Sequence, residues 1–562
     1  MRPLLSIVTG LVLMLGCAPP SVAEPVSPFV AAAFDREKIE SAIASQEGIA
    51  SPQGVTGIIV PHHLVAADLV ARGFQAASGG DYERIVVLAP DHFRAWDKGF
   101  VTSEAGFATI FGRVVSDGVV AKSMAEALPD VRLRDSLEHD HGLVAMMPFI
   151  RHHFPDVPVV AMLAGINTTP QQWRALVDAL KPLLTPRTLV VQSVDFSHYL
   201  PHQRAVLRDQ EVLSLLASGD SEGVRHLIQP DHLDTKAGLT IQMTLQREVF
   251  GSKATVIANR NSAEYGGDPN NTTSYITAVY VRDPEAASEL EAPDQHIAYI
   301  GGDVLLGRYM TPLMLDDAAR TEVASRLLQV TRGRPLAINL EGVIMEEPVA
   351  GLPEDAHLML RELAVPMLKA MGVTAASVAN NHARDLGEIG FEETLRILDE
   401  AGIAVIEHGK VADLGAARIL ALNDKAGRNS APALLDSPQA ADLACGVSAA
   451  PPLVAFIHWG EEYVDQPGPR EEEIARVLAD CGVQIVVGAH SHQASGSIPQ
   501  VPGKTANTVY SVGNLLFDQR GERVSSALLE LRTFEQGTVA ARLIPLPNLF
   551  DYGSARIAPP AN

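Results

Sequence analysis

Five short apolar runs in the C-terminal half each end in a residue able to hold a metal ion, and no other feature limits the possible folds as strongly. They are IAYIGGD to Asp303, LAINLE to Glu341, VTAASVANNH through Asn380, Asn381 and His382, LVAFIHWG with His458, and VQIVVGAHSH with His490 and His492. Runs of this length, rich in Val, Ile and Ala, read as buried strands. In open α/β sheets the residues just beyond the strand ends converge on one crevice. Carboxylate, amide and imidazole groups delivered there together suit a divalent metal ion. Any one of them could simply close its strand, but five in succession argue for a shared site.

At 562 residues the chain is too long for one ordinary core, so two domains or more are expected. A formal charge of −23 without a basic stretch argues against nucleic-acid binding and against adhesion to anionic lipid by charge. Residues 1–23 read as a secretory signal, with Arg2 ahead of an apolar stretch from Leu4 to Leu15, too short for a stable membrane span. Its ending, Met14-Leu15-Gly16-Cys17, resembles a bacterial lipobox in which Cys17 is lipidated. A competing cut after Ser21-Val22-Ala23 would release a soluble protein. Either route exports the chain, as a membrane-anchored lipoprotein or as a periplasmic or extracellular protein touching the membrane by a lipid anchor only. Cys445 and Cys481 remain; they could pair in an oxidising compartment, or Cys481 could be a small buried residue at a helix-to-strand turn.

The expected fold class is α/β, in two domains. Residues 54–283 carry the strand-like segments GIIVPHH, RIVVLAPDHF, VPVVAMLAG, TLVVQSVDFSH, ATVIANRN and SYITAVYVR, with helical spacing between them. The acidic Ala/Glu/Pro stretch at 284–295 reads as a linker. A second unit spans 296–548, within which 424–452 is weakly patterned and reads as an irregular insertion.

The motifs GGDVLLGR, INLEGVI, SVANNHARDLGEIGFEETLRILDEAGI, IHWGEEYV, VVGAHSHQASG and YSVGNLLFD follow, in order, those of the CapA family of poly-γ-glutamate capsule biosynthesis. That family looks like a branch of the calcineurin-like metallophosphatases, which implies a metallophosphatase-like α/β sandwich. The resemblance places one or two divalent ions, of unstated identity, among Asp303, Glu341, Asn381, His458, His490 and His492. His492 can reach the same side of an extended segment as His490. His382 resembles the metallophosphatase histidine that protonates a leaving oxygen, with Asp385 as the candidate to orient it; the alternative reading of the A-R-D spacing is a helix start. Asn514 is a candidate to brace the site. Two departures stand out: the usual D-x-H is here Asp303-Val304-Leu305, and Glu341 replaces a bridging Asp.

The N-terminal pieces IIVPHH, VVLAPDHF, DHGLVAMMPF, VVQSVDFSHY and HLDTKAGL resemble the MEMO family, called AmmeMemoRadiSam system protein B in bacteria. That family shares its fold with class III extradiol dioxygenases. The resemblance makes His62 and His92 metal-ligand candidates, for iron or zinc, with His141, Asp195 and His198 lining the same pocket. The family's third ligand is commonly Cys, where this chain has Ala237. Two histidines hold a metal poorly unless water, Asp195 or His198 completes the shell.

The implied function is metal-dependent, hydrolase-type action on a cell-envelope polymer or its precursor, in capsule or polyglutamate formation. Expected partners are an anionic envelope polymer and capsule-synthesis proteins. The rival is a non-catalytic envelope factor that binds such a polymer.

Overall fold

A computed structural model describes residues 34–555 and 557, apart from 135–136, 138, 354, 430–434, 448–451 and 522–523. The signal segment and the Cys17 lipidation site lie outside the described residues. Among the described residues no helix is long and apolar enough to cross a membrane.

In the N-terminal unit, four parallel strands form the centre of a sheet: Val55–Val60, Thr188–Ser193, Arg84–Pro90 and Val159–Ala164. Thr272–Val281 and Lys253–Asn261 extend one edge in antiparallel fashion. Alternation divides each strand between two cores. Ile85 and Val87 pack with Phe74 and Phe149 on one face, whereas Val86 and Leu88 pack with Trp173 and Ile241 on the other. Burial on both faces is why these runs are continuously apolar.

The C-terminal unit is a sandwich of two sheets. In the first, Gln295–Val304, Leu336–Leu340, Val373–Ser377 and Ala404–Ile406 run parallel, and Ser526–Phe534 and Val539–Leu546 complete it antiparallel. In the second, Arg418–Asn423, Leu453–His458, Val483–Ala489 and Asn507–Val509 are parallel. Ala298, Ile300 and Leu529 of the first sheet meet Ile419, Val454, Phe456 and Val487 of the second in one shared core. The helices Asp317–Thr331, Arg361–Ala370 and Gly387–Glu400 cover the outside of the first sheet, and Ser437–Cys445 and Pro469–Asp480 cover the second.

The segment 284–295 is packed rather than extended. Leu290 and Ala287 join the N-terminal core. Arg532 donates to the Leu290 carbonyl, and Arg542 to the Pro284 carbonyl and to Ser288 Oγ at 3.1 Å. Buried Glu530 holds both guanidiniums, 2.6 Å from Arg532 Nε and 2.7 Å from Arg542 Nη2.

Two expectations are corrected. The stretch read as an irregular insertion contains the helix Ser437–Cys445, set by a capping box between Asp436 and Gln439 that local patterning concealed. Cys445 and Cys481 form a disulfide, so Cys481 is not simply a buried thiol. Packing brings the end of that helix against the end of Pro469–Asp480, a contact absent from local sequence.

Candidate metal centre

Strand ends from both C-terminal sheets meet at one edge of the sandwich. Asp303 lies one residue before the end of its strand, Glu341 just beyond the next, and Asn381 and His382 after the third. His458 closes a strand of the second sheet, and His490 and His492 follow its neighbour. Close approach of the backbones sets the position of Asp303: a Cβ on Gly302 would stand 1.7 Å from the Gly513 carbonyl oxygen, so only glycine fits there. The Asp303 amide in turn donates to that carbonyl at 3.0 Å.

His490 and His492 do not lie on an extended segment as expected. The strand stops at Ala489, and both histidines hold left-handed backbone, φ 91° and 58°. Such conformations cost on the order of 1–3 kcal/mol each and recur at functional sites. Here they turn both rings into the cluster, 6.2 Å apart between centroids.

Glu341 is the hub. Its carboxylate belongs to three sets of close donor atoms: with His458 and His490, with Asp303 and His492, and with His357 and His382. Within each set the ligand atoms all lie within 4.8 Å of one another. Asp303 is 0 % exposed and Glu341 1 % exposed, which places two carboxylates side by side away from water. Among the described residues Glu341 Oε2 and His490 Nδ1 are buried without a hydrogen-bond partner. Orphaned acceptors beside paired buried carboxylates are costly for a protein alone and fit a divalent cation well.

The remaining bonds orient the donors. His458 Nε2 lies 2.7 Å from Asn381 Oδ1, and its Nδ1 lies 3.1 Å from Asn339 Nδ2, which also donates to Asp303 Oδ1 at 2.7 Å. The His490 amide donates to Asp303 Oδ2 at 3.0 Å. His492 Nδ1 lies 2.7 Å from Asn514 Oδ1 and 3.4 Å from Asp303 Oδ2. His382 Nδ1 stands 2.8 Å from Asp385 Oδ2.

Electrostatics separates the histidines. Burial, reinforced by neighbouring imidazoles, holds His458 well below the ordinary histidine range. Burial and the Lys425 charge bring His490 down to about 3. Both are therefore neutral, as metal ligands must be. Burial alone would lower His492 too, but its hydrogen bond to Asp303 and the charge of Glu341 push it up to about 9. Burial, then the charge of Asp303, raises Glu341 well above the usual carboxylate range.

All the residues singled out in this unit, Asp303, Glu341, Asn381, His382, Asp385, His458, His490 and His492, come together. Two more had escaped notice. Asn339 sat in LAINLE beside Glu341, where strand alternation was a usable signal. His357 had none: it comes from a loop, stacks on His382 with centroids 3.6 Å apart, and donates its amide to Asp385 Oδ2 at 2.8 Å. Burial, then the His382 charge, takes its pKa to about 3. Leu305, which stands where the D-x-H pattern would put a histidine, is buried in the apolar core and offers no donor.

In the N-terminal unit His62 and His92 follow their strands into one crevice, ring centroids 4.8 Å apart, and His141 stacks on His92 at 3.9 Å. Asp195 Oδ1 accepts from the His62 amide at 3.0 Å. His198 is near enough for its charge to act on both Asp195 and His62. Asp234, overlooked in HLDTKAGL, also enters this crevice, with Oδ2 3.3 Å from His62 Nε2.

Residues 298–519 match the family model described as bacterial capsule synthesis protein PGA_cap, and residues 33–279 match that of Memo-like protein. The C-terminal half is similar to the capsule biosynthesis protein CapA of Bacillus anthracis, 26 % identical over 304 residues, covering 48 % of this chain and 72 % of that protein. It is also similar to the PGA biosynthesis protein CapA of Bacillus subtilis, 26 % identical over 268 residues, with 44 % and 70 % covered. The N-terminal half is similar to a MEMO1 family protein of Methanopyrus kandleri, 23 % identical over 242 residues, with 41 % and 85 % covered.

Proposed function

This chain joins a Memo-like domain to a bacterial capsule synthesis domain, and on that premise we propose that it is an exported, metal-dependent hydrolase acting on an anionic cell-envelope polymer, such as poly-γ-glutamate, or on its precursor. The observation that carries the reading is the place of Glu341 in three overlapping donor sets with Asp303, His458, His490, His492, His357 and His382. A divalent ion held there would supply Lewis acidity at a phosphoryl or acyl oxygen. His490 and His458, kept neutral by burial, offer lone pairs, while Asp303 and Glu341 supply the negative charge that retains a cation.

His382 is the group placed to move a proton. Asp385 fixes its Nδ1, so its Nε2 faces the cluster, 3.9 Å from Glu341 Oε1. A proton on Nε2 can pass to a leaving oxygen or nitrogen. Export is supported by the disulfide, because such bonds persist in oxidising compartments. The signal-like N-terminus, with Cys17 as lipid anchor or with cleavage after Ala23, agrees.

One observation favours a binding role instead: Leu305 stands where the superfamily places a ligand, which weakens one of two metal positions. In that reading the chain holds an anionic polymer or a capsule-synthesis partner without turnover. The two are separated by purifying the full chain, measuring bound metal, and assaying a generic phosphodiester and γ-glutamyl peptides with and without His382→Ala. Hydrolysis that disappears in the variant supports the enzyme. Tight polymer binding with no turnover under several metals supports the binding factor.

A further inference from the structure

The N-terminal crevice lacks the thiolate that its family commonly supplies. Ala237 stands in that place and packs its methyl into an apolar cluster with Val190 and Ile241. Three positions earlier, at the end of the loop that leads into the helix Lys236–Leu245, Asp234 turns its carboxylate towards the two histidines. Its Oδ2 stands 3.3 Å from His62 Nε2 and 3.9 Å from His92 Nε2. The second distance is too long for a hydrogen bond. Donors about 2.1 Å from a common ion stand roughly 3–4 Å apart. Asp234 Oδ1 is buried with no hydrogen-bond partner among the described residues.

The far sides of both rings carry the partners typical of ligating histidines. His62 Nδ1 lies 3.1 Å from Ser193 Oγ, and His92 Nδ1 lies 2.9 Å from Asp140 Oδ1. Those contacts fix each tautomer and turn both Nε2 atoms towards Asp234, an arrangement that orients and strengthens metal-binding imidazoles. Asp195 braces the opposite side. It accepts from the His62 amide at 3.0 Å, and its own amide donates to Asp234 Oδ2 at 3.2 Å.

We propose that His62, His92 and Asp234 form a second metal site, independent of the C-terminal one, in which a carboxylate on a neighbouring turn replaces the missing thiolate. Two imidazoles and one carboxylate suit a divalent first-row ion such as Fe(II) or Zn(II), and the loss of sulfur disfavours Cu(I). His141 brings a ring nitrogen within 4.8 Å of donor atoms of His62 and His92, but it is exposed and stacked on His92, and this assignment makes it a wall of the crevice with Asp234 as the third ligand.

The test uses the full chain, loaded anaerobically with Fe(II), desalted, and measured for iron per chain. Asp234→Asn and His62→Ala are expected to lose the same single equivalent, with affinity down about a hundredfold or more. Asp234→Glu and His141→Gln are expected to keep it. The pair Asp303→Asn and His458→Ala should leave this equivalent in place. Iron retained in Asp234→Asn, or lost in His141→Gln while Asp234→Asn retains it, overturns the assignment. Should Asp234→Asn fail to fold, X-ray absorption at the iron edge of the Asp303→Asn/His458→Ala protein decides. Two imidazoles without sulfur support the site, whereas three imidazoles, or none, overturn it.

Discussion

His382 Nε2 faces Glu341 Oε1 across 3.9 Å while Asp385 holds the opposite nitrogen of the same ring. One imidazole thus links a buried carboxylate that is a ligand candidate to a second carboxylate, Asp385, which bonds to His382 and to the His357 amide. The stacked His357 ring leaves His382 little room to turn.

Asp385→Asn should therefore disturb proton transfer and leave metal binding alone. Turnover in the phosphodiester or γ-glutamyl assay is expected to fall about 10²-fold to 10⁴-fold. Metal content should stay at the wild-type level. Loss of bound metal in this variant would assign Asp385 a different role.

Glu341→Gln should act in opposite directions on the two metal states. Without metal, burial and the Asp303 charge oppose ionisation of Glu341, so the neutral amide is expected to stabilise the metal-free chain, by about 1 kcal/mol. With metal, the gain given by a saturating ion, about 2.7 kcal/mol at a hundredfold excess over Kd, should largely vanish. Thermal unfolding of both proteins, dialysed against EDTA and then re-metallated, measures both effects.

The Glu530 cluster predicts an acid limb of stability. Burial by itself would raise the Glu530 pKa, but the Arg532 and Arg542 guanidiniums pull it down to about 2. A carboxyl depressed in the fold contributes stability that is fully present above its unfolded value of roughly 4.3. That contribution declines as pH falls from there towards 2. Glu530→Gln should flatten this part of the unfolding curve. It should also cost about 3–5 kcal/mol near neutral pH, because two buried guanidiniums lose their counter-charge. Urea unfolding between pH 2.5 and pH 7 checks both.

Reduction of Cys445–Cys481 frees a segment of 36 residues separation. The loop-closure argument assigns about 4 kcal/mol to a loop of that length. Cys445→Ser with Cys481→Ser should lower the unfolding temperature by several degrees and leave the metal content of the C-terminal site unchanged. An unchanged melting temperature would show that the two helix ends are held by packing alone.

Much of this protein was legible in its sequence because the decisive signals were local. Asp303, Glu341, His458 and His490 end or follow apolar runs, and a parallel strand buried on both faces must deliver such residues to its carboxyl end. The helices between strands followed from the same periodicity, whereas the two-layer sandwich was what the resemblance to the metallophosphatases implied. What tertiary structure alone decided was every relation across elements that no periodicity encodes. His357 reaches His382 from a loop, Asp234 enters the crevice that Ala237 leaves without a ligand, and Cys445 meets Cys481 at the ends of two helices. The left-handed turns at His490 and His492 belong to the same class, since a strained backbone persists only where surrounding packing fixes it. Strand ends are specified by the residues beside them, but their partners are chosen by how sheets and loops close over one another.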